Sequence, residues 1–176
     1  TPKVADDTLA QLGVTAGQYI ISVGRLVPEK AQDVLIDAFE QSGLATQNPP
    51  IKLLIVGDAD HKDTYAESIF AKTSDTIVCA GRLPRETILA LNQKAALFVL
   101  PSFHEGLSIA ALEALCSGAP VLLSDIQANL DIGLPEHHYF KTGSASDLTA
   151  KLAADLSQFA PRDFDPKQFD WDEIAA

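Results

Sequence analysis

Short, nearly uncharged aliphatic runs alternate with amphipathic segments along this chain, and that alternation constrains the fold more than any other feature. Gln18 to Val23, Ile51 to Val56, Thr76 to Cys79, Ala96 to Leu100 and Val121 to Leu123 read as strands. Their apolar residues are continuous rather than alternating, the pattern of strands buried on both faces. Between them, Ala31 to Gln41 puts Val34, Leu35, Ala38 and Phe39 at helical spacing. Lys62 to Ala71, Pro84 to Ala95, the stretch after Glu105 and Ser146 to Ser157 also read as helices, with Pro84 suited to a first turn and Ser146 to a cap. The expected fold is a doubly wound α/β domain around a parallel sheet. Ligands of such folds sit at the carboxyl ends of the strands. Those ends are Gly24–Arg25, Gly57–Asp58, Gly81–Arg82 and Pro101 to Glu105.

The last of these ends opens a Glu-x7-Glu stretch. Glu105 and Glu113 are eight residues apart, separated by an Ala/Leu-rich run that closes at Gly118–Ala119–Pro120. Eight residues of helix span roughly 12 Å, whereas a glycosidase acid/base pair needs about 5–9.5 Å. The longer spacing suits a ligand gripped at two places. A helix starting beside Glu105 presents backbone N–H groups and a positive dipole end to an anion. Two carboxylates flanking that anion site can each accept hydrogen bonds from hydroxyls. A nucleotide sugar meets all three requirements.

The 176 residues correspond to one domain, and at 47% hydrophobic they can bury a core. The net charge of −11 argues against nucleic acid as a partner, because phosphate contacts dominate that affinity. Phosphate recognition then has to be local. Arg25 and Lys30 are two of only 13 cations and share the loop after the first strand, where an anionic ligand would be met. Neither a Gly-x-Gly-x-x-Gly nor a Walker-type motif is present, so dinucleotide oxidoreductases and P-loop NTPases are unsupported. Asp58–Ala59–Asp60–His61 reads either as an acidic turn or as a divalent-metal site bridging a diphosphate. Leu83 reads either as core or as a surface for a flat base, and His104 either lines the site or caps its loop. His137 and His138 read as surface residues, and Cys79 and Cys116 as buried structural thiols. No apolar run reaches membrane-spanning length, and a reducing cytoplasm is the expected setting. Methionine is absent even at position 1, which points to a piece of a longer protein.

Taken together, Gly24–Arg25–Leu26 with Lys30, Pro101–Ser102 with Glu105–Gly106, and Glu113 resemble the nucleotide-sugar-binding half of retaining GT-B glycosyltransferases, from about Tyr19 to Trp171. The resemblance implies a Rossmann-like domain, the carboxy-terminal half of a GT-B fold, filling residues 1–176. It implies that Arg25 and Lys30 neutralise the donor diphosphate and that Glu105 contacts sugar hydroxyls. The amides of Gly106, Leu107 and Ser108 would hold sugar or phosphate oxygens, Glu113 the ribose, and the backbone around Leu83 the base. Transfer would retain the anomeric configuration with no metal and no cofactor besides a UDP-, GDP- or ADP-sugar donor. The amino-terminal acceptor domain is expected to be missing, with Phe169–Asp170–Trp171 beginning the helix that crosses to it and the isolated domain inactive. Peripheral membrane association belongs, on this reading, to the full-length protein. A non-catalytic nucleotide-sugar module, or one subunit of a two-chain transferase, is the alternative. Ala31 stands where relatives usually have Gly, Asp131 where Glu is usual, and Ser124 to Asn129 lacks a common Gly pair.

Overall fold

The computed structural model describes residues 2–61 and 63–169. The expected terminal helix therefore lies, beyond Phe169, outside the described residues, as does Lys62. Six strands form one parallel sheet: β1 (Tyr19–Val23), β2 (Lys52–Val56), β3 (Ile77–Gly81), β4 (Leu97–Leu100), β5 (Val121–Ser124) and β6 (Tyr139–Phe140). Their order is β3-β2-β1-β4-β5-β6. The chain winds outward from β1 in one direction, then returns and winds outward from β4 in the other. The β1–β4 seam, with Ile20 opposite Leu97, is thus the topological switch point.

Burial on both faces explains the unbroken apolar runs. Successive side chains of a strand point to opposite sides. In β2, Leu53 and Ile55 enter one core while Leu54 and Val56 enter the other. In β4 the split is Leu97 and Val99 against Phe98 and Leu100. One core is closed by Leu35, Ile36 and Phe39 of α2 (Gln32–Ser42), Ala66 and Ile69 of α3 (Thr64–Phe70), and Leu148 and Leu152 of α7 (Ala145–Leu152). The other is closed by Leu9 of α1 (Pro2–Leu12), Leu91 of α4 (Arg85–Lys94), and Ala111, Leu112 and Leu115 of α5 (Ile109–Cys116). Each fully buried Leu or Ile contributes about 1.5–3 kcal/mol of transfer free energy. Tyr19 belongs to the second core, and its hydroxyl donates to the Leu91 carbonyl, tying β1 to α4.

Several element ends differ from the sequence reading. The cap of α7 is Ser144, which accepts from the Asp147 amide, rather than Ser146. That helix stops at Leu152 instead of Ser157, because Asp155 caps a separate 3-10 turn at Leu156–Phe159. The helix expected right behind Glu105 starts only at Ile109. The short α6 (Gln127–Leu130) and the two-residue β6 carried no readable period. Cys79 and Cys116 are half-buried rather than sealed in the core. His138 is not a surface residue: it is 2% exposed, and its ring is 2.9 Å from the Val121 carbonyl. A carbonyl only accepts, so Nδ1 carries the proton. Burial, followed by the neighbouring His137, holds the His138 pKa below 6.5, partly offset by that hydrogen bond.

Two backbone positions shape the ends of β1 and β2. Gly57 has φ +140°, and a Cβ there would fall 1.9 Å from the Gly24 carbonyl oxygen. Glycine is required because the two strand ends converge. Ala31 occupies the left-handed region at φ 54°, just before α2. Left-handed alanine costs about 1–2 kcal/mol. Its buried methyl and the smaller unfolded-state entropy relative to glycine return a similar amount. Alanine is therefore tolerated in this left-handed position.

Gly57→Ala is expected to destabilise the protein by about 3 kcal/mol, read as a lowered urea midpoint; an unchanged midpoint would show that the strand ends can separate. The stabilisation carried by neutral His138 is present above pH 6.5 and lost as pH falls through its depressed folded-state value. Wild-type protein should therefore lose more stability between pH 7.5 and 5.5 than His138→Gln, as measured by urea unfolding at the two pH values.

Candidate nucleotide-sugar site

The loops leaving β1 and β4 flank the switch point, and they are joined to each other. The Phe103 amide donates to the Glu29 carbonyl at 2.8 Å. Beside that link, Lys30 Nζ lies 2.7 Å from Glu105 Oε1, with side-chain exposures of 19% and 10%. Ser102 Oγ donates to the same carboxylate oxygen at 2.7 Å. Lys30 reaches this place because a 3-10 turn at Pro28–Lys30 and left-handed Ala31 fold the loop back before α2 begins. Two of its three ammonium protons are left for a ligand. Gln32, itself buried, holds the same loop by donating to the Arg25 carbonyl at 2.9 Å. The Tyr65 hydroxyl in turn donates to Gln32 Oε1 at 2.9 Å.

The sequence placed eight candidates. Lys30 and Glu105 are in direct contact. Gly106 and Leu107 are exposed on the loop that follows, whereas Ser108 is buried and ends it. Among the described residues, the amides of all three donate to no backbone carbonyl. Arg25 and Leu83 line a second part of the site, a groove of about 340 Å³ with Gly57, Asp58, Arg82 and Ile88. Leu83 is both core and lining, since it packs against the second core while half-exposed in that groove. Glu113 is 14% exposed and pairs with Arg85 Nε at 2.5 Å across the α4–α5 seam. It lines a separate hollow of about 290 Å³ with Leu89, Gln93, Cys116 and Ser117. The candidates are thus divided between the Lys30–Glu105 contact, the Arg25–Leu83 groove and the Glu113 hollow rather than gathered in one closed pocket. His104 is exposed on the Glu105 loop.

Three residues around the site, Arg85, Ser124 and Asn129, were not among the sequence candidates. Arg85 at the first turn of α4 is the partner of Glu113. Arg82 and Arg25 both approach Asp60, at 3.3 and 3.8 Å, and all three side chains are well exposed. Asp60 therefore engages guanidinium groups, and among the described residues no three His, Cys, Asp or Glu side chains gather as a metal site. Ser124 and Asn129 lie buried beneath the Glu105 loop. The pairing of Arg85 with Glu113, both at strand-following helices, was foreshadowed only by their charge. A cavity of about 710 Å³ beside His137, His138 and Arg162 includes none of the eight candidates.

These features define a doubly wound domain with a half-buried Lys–Glu pair at its switch point. The family model of glycosyl transferases group 1 matches residues 8–158, and the chain belongs to that family. It is 30% identical over 119 residues to the 2-deoxystreptamine N-acetyl-D-glucosaminyltransferase of Streptomyces fradiae, across 66% of this chain and 28% of the relative. It is 29% identical over 164 residues to the GDP-mannose-dependent monoacylated alpha-(1-6)-phosphatidylinositol monomannoside mannosyltransferase of Corynebacterium glutamicum, across 89% of this chain and 42% of the relative. The chain thus spans less than half the length of these curated relatives. Among solved structures it is similar to the catalytic domain of cholesterol-alpha-glucosyltransferase from Helicobacter pylori, with TM-score 0.67 and 26% identity over 80% of this chain and 87% of that one. Anabaena HepE in complex with UDP-glucose shares the fold at TM-score 0.72 and 21% identity, over 99% and 52% of the two chains.

Lys30→Ala should cost about 1–3 kcal/mol, because it leaves the mostly buried Glu105 carboxylate without its cation. Combined with Glu105→Ala, the loss should be clearly smaller than the sum of the two single losses in urea unfolding. Additive losses would mean that the ion pair contributes nothing.

Proposed function

We propose that this chain is the donor-binding domain of a hexosyltransferase that moves a hexosyl group from a nucleoside-diphosphate sugar to a glycan, lipid or small acceptor. The observation that carries this reading is the Lys30–Glu105 pair at the β1–β4 switch point, with Ser102 on the same carboxylate. It puts a cation for phosphate and an acceptor for sugar hydroxyls within one ligand's reach. Arg25, Lys30 and the amides of Gly106, Leu107 and Ser108 stabilise the departing diphosphate, whose negative charge grows as the anomeric bond breaks. Glu105 accepts sugar hydroxyls, Glu113 accepts ribose hydroxyls, and the backbone around Leu83 meets the base. Donor binding and transfer then proceed without a metal and with retention of configuration. The relatives support a nucleotide-sugar donor: one uses GDP-mannose, and HepE was solved with UDP-glucose.

The acceptor is held by a further domain of the full-length protein, which we place against the exposed Phe103, Leu107 and Ile109 around the Glu105 loop. Without it, this chain binds donor and does not transfer. The enzyme works in the cytoplasm, and the full-length protein associates peripherally with a membrane where its acceptor is a lipid.

Calorimetric titration with UDP, GDP, ADP and their sugar forms, with and without magnesium or manganese, tests the reading. One diphosphate should bind without metal. Glu113→Ala should weaken it roughly 10- to 100-fold, the effect of a lost hydrogen bond to a charged group. Binding that collapses with chelator would overturn metal independence. Sugar transfer by this chain alone would overturn the need for a second domain.

A further inference from the structure

Beneath the Glu105 loop runs a buried polar chain that the proposed reaction does not use. Asn129 Nδ2 donates to the Ser124 carbonyl at 2.9 Å and to Ser124 Oγ at 3.1 Å. Ser124 Oγ donates onward to the Ser102 carbonyl at 2.7 Å. On its other side, Asn129 Oδ1 accepts from Ser108 Oγ at 2.5 Å. Ser102, Ser108, Ser124 and Asn129 are each at most 1% exposed. The orientation of the amide is fixed, since a carbonyl partner can only be met by Nδ2. The Asn129 backbone is anchored too: the Tyr139 hydroxyl donates to its carbonyl at 2.8 Å.

The two ends of this chain are informative. Ser102 opens the loop after β4 and Ser108 closes it, and Glu105 sits midway between them. Ser102 also carries the hydroxyl that holds the Glu105 carboxylate. Asn129 of α6 therefore fastens one end of the loop that presents Glu105 through Ser108 and, by way of Ser124 at the end of β5, the other end at Ser102. A satisfied, buried polar network specifies a single arrangement, because any other leaves unpaired groups in the core. Its side chains are engaged with one another, with backbone carbonyls and with Glu105.

We propose that Asn129 is a positioning residue which, through Ser108 and Ser124, clamps both ends of the 102–108 loop and so fixes where the Glu105 carboxylate meets the donor sugar. This rests on the donor-domain reading above for the identity of the ligand, and on geometry alone for the clamp. The end of β5 and the short α6 thereby become determinants of sugar recognition.

Two variants test it. Ser124→Ala removes the bond to Ser102. Asn129→Asp keeps the shape of the side chain but sets a carboxylate oxygen against the Ser124 carbonyl. The first measurement is hydrogen–deuterium exchange in the ligand-free chain. The amides of Phe103 and Ile109, bonded to Glu29 and Leu107, should exchange roughly fivefold faster in Ser124→Ala, the effect of one hydrogen bond. Leu53, bonded to Thr76 in the sheet, should be unaffected. The second is calorimetry with UDP against UDP-glucose and GDP against GDP-mannose. In both variants the loss of affinity should be at least fivefold greater for the nucleotide sugars than for the diphosphates, whose contacts are shared with Arg25 and Lys30 outside the loop. A uniform acceleration of all amides, or an unchanged sugar increment in a chain that binds donor, would overturn the proposal. Failure of the wild-type chain to bind any of the four nucleotides would count against the donor reading, and the exchange pattern would then decide the clamp by itself.

Discussion

Burial of the central strands on both faces determines where everything else in this protein can go. Every side chain of β2 from Leu53 to Val56 and every side chain of β4 enters one core or the other. Along these stretches no face is free to carry a charged group. Charged residues can gather only at the strand ends and on the helix turns beyond them. The carboxyl ends are the end where the following helices start, with their unpaired N–H groups. The reversal of winding between β1 and β4 then separates two adjacent loops and leaves a crevice there. Lys30 and Glu105 meet in that crevice although 75 residues separate them in sequence.

The architecture was legible because two-sided burial writes an unmistakable pattern into the sequence. All five strands read as such are present, within a residue or two of their expected bounds. The sixth was not readable, since two residues carry no period, and its pairing with β5 is decided by tertiary contact. Caps were less predictable than helices. Ser144 and Ser146 offer the same chemistry two residues apart, and only the backbone path selects the first. His138 misled because a histidine in a Pro- and Glu-containing loop has no sequence mark of burial. Its place is set by the Val121 carbonyl, which is remote in the chain.

The site divided along a similar line. Residues proposed to meet the donor stood out through charge and spacing, because nothing in the core explains a Lys or Glu at a strand end. Residues that hold those side chains in place were not. Asn129 and Ser124 are ordinary polar residues on a connection without a motif, and only the fold lays them under the Glu105 loop. Arg85 is similar: its partnership with Glu113 depends on the packing of α4 beside α5.

The two-residue length of β6 has a consequence for the behaviour of the protein in concentrated solution. An edge strand with free N–H and C=O groups is a template on which another chain can pair. With only Tyr139 and Phe140 in register with Leu123 and Ser124, that edge offers too short a ladder to seed a new strand. Pro135 precedes it and the turn to α7 follows at once, so the ladder cannot lengthen without unravelling a capped helix. The sheet therefore ends in a blunt margin on that side, and the margin acts as a guard against edge-to-edge self-association.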